Sequence, residues 1–422
     1  MTADQIRSLQ PALAALLLQF RGCFRRQATF AHWQTYMLGL LADLKRKRIE
    51  PIALARGAAV RTLQEFLAFF KWDHERVDRQ LHQLVMDQHG CAGAIGVIDA
   101  SGHPKQGDKT PGVQRQYCGE RGKIENSVVG QHLLYTNNDR KNPFTCMLAS
   151  ALYLPKKWAQ DRERCRRAGI PEDLGFRPKW RIAIDQVKAA LVNGIVFAWL
   201  TFDEEYGNVP AFWFELNQMG QRAIGEVPKN FHCWPTLPHY RSQQAAHASK
   251  RVDNVCRHSP VFRDKKWRRI HIKDTTRGPV IWEVKAAQIH LVDASTTPSQ
   301  PTDRRYWLIV ARNPATKETK YFVSNTPKRE KLAEMLHAAF ARWHVEKWFE
   351  RAKQETGLGS FEVRTYTSLI RHWLCSRMAM YFLADQTERL RGEKSGDHAG
   401  ASGGSGQQPG LGDLAPRVAR AG

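Results

Sequence analysis

Two short runs, Ala94-Ile95-Gly96-Val97-Ile98-Asp99 and Ile195-Val196-Phe197-Ala198-Trp199-Leu200-Thr201-Phe202-Asp203, decide how this chain is read. Each is a compact apolar segment closed by an aspartate, and its length and flanking turn residues predict a buried strand rather than a helix. Both carboxylates are therefore expected at strand ends, in the crevice where open α/β sheets hold ligands. Two carboxylates brought together repel, and a hard divalent cation with oxygen ligands is the usual remedy. An aspartate after a strand is also a common turn starter or helix cap, so neither residue decides the matter alone.

A third acid stands in a basic helix. In Arg342-Trp343-His344-Val345-Glu346-Lys347-Trp348-Phe349-Glu350-Arg351-Ala352-Lys353, positions 342, 346 and 353 are spaced by near-whole helical turns, so Arg, Glu and Lys share one face. That face reads as a metal-binding Glu346 beside two phosphate-holding cations, Arg342 and Lys353. Taken alone, it reads more readily as an ion-pair row of the kind that decorates exposed helices. Glu350 and Glu355 are rival carboxylates on the same helix.

Charge favours a polyanionic partner. The chain carries 64 Lys and Arg against 41 Asp and Glu over 422 residues, a formal net charge of +23. Such a surplus attracts phosphate backbones through counterion release. Lipid is the weaker candidate, because the apolar stretch Ala12 to Leu18 is too short to span a bilayer, and a secretory leader is not indicated. Eight cysteines without framework spacing fit reduced thiols, so a cytoplasmic protein is expected.

Composition divides the chain. Residues 1–88 read as a helical DNA-binding domain, with apolar positions in Pro11–Phe20, His32–Leu44 and Leu63–Phe70 at helical spacing and Lys45-Arg46-Lys47-Arg48 between them. Residues 89–228 alternate strands (Val128–Tyr135, Cys146–Leu154) with a helix at Pro178–Val192, an α/β pattern. Residues 229–305 hold 15 Lys and Arg against 6 Asp and Glu and read as a basic insertion. In 306–390 a hairpin, Tyr306–Val310 with Tyr321–Val323, precedes a single long helix over Lys328–Gly357 and an apolar helix over Ser368–Ala384. Residues 391–422, rich in Gly, Ser, Gln and Pro, are expected to be disordered.

Three ordered blocks resemble a known family. Ile98-Asp99-Ala100-Ser101-Gly102-His103-Pro104-Lys105-Gln106-Gly107, with Gly112-Val113-Gln114-Arg115-Gln116-Tyr117-Cys118-Gly119, Gly122-Lys123 and Asn126, is similar to the first catalytic block of DDE transposases from bacterial insertion sequences, of the insertion-sequence 701 family in particular. Asp203 with Tyr206-Gly207 resembles the second block, and Arg342, Glu346 and Lys353 the third. The resemblance implies an α/β (α+β) fold, a ribonuclease H-like mixed-sheet catalytic core with a β-rich insertion and an N-terminal helical domain. It implies Asp99, Asp203 and Glu346 as catalytic residues holding two Mg2+ ions, for which Mn2+ substitutes. It further implies double-stranded DNA as partner, both terminal inverted repeats and target, with a homodimer in the synaptic complex. Departures are Ala339 where an aromatic residue is usual, Ala100 where a second acid is common, the extra acids Glu204 and Glu205, and the tail.

Further DNA contacts are expected from Lys105, Arg115 and Lys123, read as a Gly-rich loop, and from Lys265-Lys266-Trp267-Arg268-Arg269, where the indole would stack on an unpaired base. The latter run reads equally as a solvated edge strand with its Trp in the core. His232, Cys233, Cys256 and His258 match no zinc-finger spacing. Two rival functions stay open: a non-catalytic DNA-binding protein derived from a transposase, and a ribonuclease H-like nuclease that does not join strands.

Overall fold

The computed structural model describes residues 9–139, 143–238, 240–241, 244–245, 248–275, 278–295 and 299–400, with only the backbone given over 391–400. Among the described residues five α-helices come first: α1 (Gln10–Gln19), α2 (Gln27–Leu41), α3 (Ile49–Ala55), α4 (Val60–Ala68) and α5 (His74–His89). Strands β1 (Ile95–Pro104), β2 (Gln114–Cys118), β3 (Lys123–Thr136) and β4 (Thr145–Leu152) follow, then α6 (Lys179–Val192), β5 (Trp199–Phe202), α7 (Pro210–Gln218) and β6 (Ala223–Val227).

The next stretch carries β7 (His232–Trp234), β8 (Tyr240–Arg241), β9 (Gln244–Ala245), β10 (Lys250–Arg251), β11 (Arg268–Thr275), β12 (Gly278–Asp293), β13 (Gln300–Arg312) and β14 (Thr319–Ser324). Helices α8 (Leu332–Phe340), α9 (Trp343–Glu355) and α10 (Tyr366–Gly400) end the described chain.

One mixed sheet organises the molecule, in the order β10-β7-β12-β13-β14-β6-β5-β1-β3-β2, with β11 on β12 and β4 on β3. At its centre β1, β5 and β6 run parallel, while β3 is antiparallel to β1. This is the mixed α/β architecture expected of a ribonuclease H-like core. The buried runs Ile95–Ile98 and Trp199–Phe202 explain the parallel centre: both faces are covered, so alternation gives way to continuous apolar sequence. Two glycines permit the close packing there. A Cβ at Gly96 would meet Leu200 Cδ2 at 2.5 Å, and one at Gly225 would meet the Phe202 ring at 2.0 Å.

Four expectations change. Asp99 does not end its strand: β1 continues to Pro104, because the long partner β3 pairs with it as far as Ser127 after β5 has stopped at Phe202. The strand expected over Ile195–Phe202 begins only at Trp199. The single helix expected over 328–357 is two, α8 and α9, broken at Ala341-Arg342 without Pro or Gly. The backbone of 391–400 continues α10, in place of the disorder expected there, and the remainder of that tail, 401–422, lies outside the described residues.

The boundary expected at 305/306 falls inside β13, which pairs with β12 on one side and β14 on the other, while β14 pairs with β6. Sequence distant in composition is thus continuous in the sheet. The apolar interior is equally continuous, running from Leu13 to Leu383. Helix α10 fastens the first five helices to it: the Arg371 guanidinium donates to the carbonyls of Leu67 (3.1 Å) and Phe70 (2.9 Å), and Tyr36 Oη lies 2.8 Å from His372 Nδ1.

Candidate active site

The register of the parallel strands brings two of the three expected acids together. Ile98 pairs with Phe202, and Phe202 with Gly225, so the next residues along, Asp99, Asp203 and Glu226, follow one another across three neighbouring strands. Neighbouring strands are about 4.8 Å apart. Asp203 caps the short helical turn Glu204–Gly207, its Oδ1 accepting from the Glu205 N–H at 2.9 Å. Asp99 Oδ1 accepts from the Ala100 N–H at 2.7 Å.

Burial pushes the Asp99 carboxyl from its ordinary 3.8 to about 7, and the negative charge of Asp203 adds to the rise, while Arg342 opposes it. Asp203 is raised in turn, by burial first, with Glu205 adding and Arg342 opposing. Ionising both carboxylates is therefore unfavourable despite Arg342, the electrostatic condition under which a bound cation is favoured.

Arg342 stands at the start of α9 with its guanidinium 3.7 Å from Asp99 Oδ2 and 3.9 Å from Glu226 Oε2. Glu226 is also held by Lys320 at 2.7 Å. At the other end of α9, Lys353 Nζ donates to Glu120 Oε2 at 2.6 Å and to the Gly102 carbonyl at 3.4 Å. Helix α9 thus lies along β1, fixed near Asp99 by Arg342 and near Gly102 by Lys353. Glu346 is one turn from Arg342, in the first turn of the helix, and is exposed. Among the described residues no group of three or more His, Cys, Asp and Glu side chains is arranged to hold a metal ion.

Beneath Asp99 lies a buried network that single-residue reasoning missed. Tyr206 donates to Gln131 Oε1 at 2.5 Å, Gln131 Nε2 donates to the Asp99 carbonyl at 3.2 Å, and Gln186 Nε2 donates to the Gln131 carbonyl at 2.9 Å. Gly207 lies so close to β6 that a Cβ would meet the Glu226 carbonyl at 2.0 Å. The signal was present in the sequence as Tyr206-Gly207 just after Asp203. The Glu205 carboxylate is taken by Lys179 at 2.8 Å.

The other expected contacts divide. Lys105, Arg115 and Lys123 do not share a loop: Lys105 follows β1, Arg115 is exposed on β2 and Lys123 opens β3, where it pairs with Glu125 at 2.9 Å. The Lys105 ammonium donates to the carbonyls of Gly359 and Phe361, at 2.7 and 2.8 Å. In the insertion, Lys265 donates to the Ala286 carbonyl at 2.5 Å and Arg269 pairs with Glu283 at 3.2 Å. The Trp267 ring is covered by Arg312 at 4.1 Å and Lys285 at 5.1 Å, while Lys266 and Arg268 remain exposed on a second cleft of about 670 Å3.

A family model described as DDE superfamily endonuclease matches residues 19–279, more than half of the chain. The chain belongs to the DDE superfamily of endonucleases. This DDE endonuclease is also similar to the probable transposase for insertion sequence element IS701 of Microchaete diplosiphon, 23% identical over 355 residues that cover 83% of this chain and 81% of the relative. The matched region of the DDE endonuclease contains Asp99 and Asp203 and ends before α9, so the pairing of the aspartates falls inside it and Glu346 outside. Among the described residues, no helix of the DDE endonuclease is long and apolar enough to cross a membrane, and all eight cysteines are free thiols.

Proposed function

We propose that this DDE endonuclease is the transposase of a bacterial insertion sequence, which cuts duplex DNA at the element's terminal inverted repeats and joins the freed strands to a target. The observation that supports this reading most is the juxtaposition of Asp99 and Asp203 on neighbouring parallel strands, with the Arg342 guanidinium beside them. The donor set suits a divalent ion: two carboxylates, each with its acidity weakened by burial, and no cysteine or histidine ligand in the row. Asp99 and Asp203 would hold magnesium, or manganese in its place, with Glu346 closing over it, and the bound metal would supply Lewis-acid activation of water and of the departing oxygen.

The chain's own residues then supply position. Arg342 and Lys353 mark one face of α9, and their charges would hold the phosphates on either side of the scissile bond. Hydroxide attacks phosphorus in line, the bond to the 3′ oxygen breaks, and a 3′ hydroxyl is left on the element. That hydroxyl, aligned on a target phosphodiester, attacks in its turn, so cutting and joining need no covalent link to the protein. Two copies of the chain would hold two ends.

Asp99→Asn tests the reading. The variant is expected to bind an end-containing duplex as the parent does and to lose magnesium-dependent nicking to background. Nicking retained by the purified variant would overturn the assignment. One observation favours a second reading, a DNA-binding protein without cleavage: Glu346 is exposed, and among the described residues no three metal-ligating side chains are grouped. The parent protein separates the two, since a duplex left intact in both magnesium and manganese supports the second.

A further inference from the structure

We infer that the broad cleft between the amino-terminal helices and the β2–β3 hairpin is the seat of a DNA duplex, and that Glu120 and Glu362 are counterions which the phosphates displace. This rests on the DNA-directed function proposed above and goes further by assigning the surface and its charge exchange.

The cleft encloses about 1880 Å3. One wall is the stretch Lys45–Arg48 before α3 together with α4, the other is the hairpin with the loop that precedes it, and the floor is the end of β1 and the segment Gly359–Thr365. Ten Lys and Arg line it against five Asp and Glu. Lys45, Arg46, Arg115, Arg121 and Arg364 are exposed there and make no ion pair among the described residues. Cations facing one another across a concavity repel, and a polyanion between them converts that repulsion into attraction.

The shape and lining fit a duplex better than a small ligand or a single strand. Small-molecule sites are apolar pockets with a few polar groups, whereas this one is wide and charged. Single-strand sites interleave cations with aromatic platforms, and among the described residues Phe69 is the one strongly exposed large aromatic that lines the cleft, Tyr117 of β2 being exposed outside its lining. Pro104 on the floor is five residues of extended strand from Asp99, about 17 Å. One turn of duplex is about 34 Å, so DNA in the cleft would extend to the aspartate pair.

Four of the lining cations are already engaged: Arg61 pairs with Glu65 at 2.9 Å and Lys109 with the adjacent Asp108 at 3.8 Å, and two more pair with an acid distant in sequence. Arg48 pairs with Glu362 at 2.5 Å, with 39% and 59% of the side chains exposed, and Lys353 pairs with Glu120 at 2.6 Å. The first pair is about half exposed and the second, at 22% and 34%, partly so, and ion pairs open to solvent are weak and exchange readily. Lys105 is different, since its ammonium lies 3.6 Å from the Phe361 ring centroid as well as on two carbonyls, and it braces the floor. Glu120 and Glu362 thus hold the cations in place of phosphate, without fixing the fold.

The test is fluorescence anisotropy of the full chain with an end-containing duplex of about three helical turns, in chelator so that no cleavage intervenes. Glu120→Gln with Glu362→Gln is expected to bind several-fold tighter at fixed salt. Arg46→Ala with Arg115→Ala is expected to bind more weakly, with the slope of log affinity against log salt reduced by about two. Melting of each variant is followed in parallel. Should either fail to fold, protection of Lys45 and Lys109 from amine acylation by bound duplex, read in the unaltered protein, supports the cleft, and its absence overturns it. An unchanged salt slope, acid-to-amide variants that bind no tighter, or equal affinity for a single strand of the same length would each overturn the inference. Because binding is read without divalent ion, failure of Asp99-dependent nicking would leave it standing, and its own failure would leave the nicking assignment intact.

Discussion

At the scale of the residue, Asp99 carries a measurable consequence in pH. Its carboxyl binds a proton more tightly in the folded protein than in the unfolded chain, so folding is favoured at low pH and stability declines as pH rises from about 4 to about 7. Asp203 adds in the same direction. Asp99→Asn removes that cost: its melting temperature at pH 8 is expected to exceed the parent's by several degrees, with the gain shrinking toward pH 5, and a lower melting point throughout would contradict it. Tyr206→Phe probes the support below. It leaves Gln131 Oε1 buried without its donor, which is expected to cost about 1–2 kcal/mol in denaturant unfolding, and to slow nicking while leaving duplex affinity unchanged. The aspartates were legible because each closes an apolar run. Gln131 was not, since a glutamine inside a strand has no pattern that points to a tyrosine 75 positions away.

At the scale of the element, α9 is the decisive piece, and its beginning is set by distant residues. Phe340 packs against Trp282 at 4.9 Å and Phe322 at 5.7 Å, and Trp343 packs against Phe340 at 4.8 Å, so strands β12 and β14 anchor the junction where α8 stops. Helical periodicity runs through Ala341-Arg342 unbroken, which is why one helix was expected there and two were found. Arg342 lies at the break itself, as the N-cap of α9, but its backbone is helical, so the turn spacing to Glu346 and Lys353 is kept. Trp348 seats α9 on β4, its indole N–H donating to the Thr145 carbonyl at 3.3 Å. Trp348→Ala is expected to cost about 3–5 kcal/mol and to abolish nicking while duplex affinity falls only modestly. Full activity in that variant would show that α9 is held by other contacts. The length of β1 escaped the sequence for a related reason: Ser101-Gly102-His103-Pro104 has the composition of a turn, and only β3 keeps it extended.

At the scale of the molecule, charge and the order of α and β segments were legible, and the joining of the parts was not. The first five helices read as a separate domain, yet Arg371 from α10 is buried among their carbonyls. Arg371→Ala would leave those carbonyls without donors. It is expected to cost roughly 2–4 kcal/mol and to expose the linker between α5 and β1 to limited proteolysis, and a digestion pattern identical to the parent's would refute this. The insertion likewise joins the central sheet through β14 and β6, a pairing that no local composition announces. The spacing of Asp99, Asp203 and Glu226 is set by the hydrogen-bond ladder of β1, β5 and β6. That ladder is a ruler with a fixed graduation, and a slip by one rung would send an acid to the opposite side. Enlarging Gly96 or Gly225, neither of which touches a reacting atom, would mis-set that gauge, so their effects should track with those of the acids themselves.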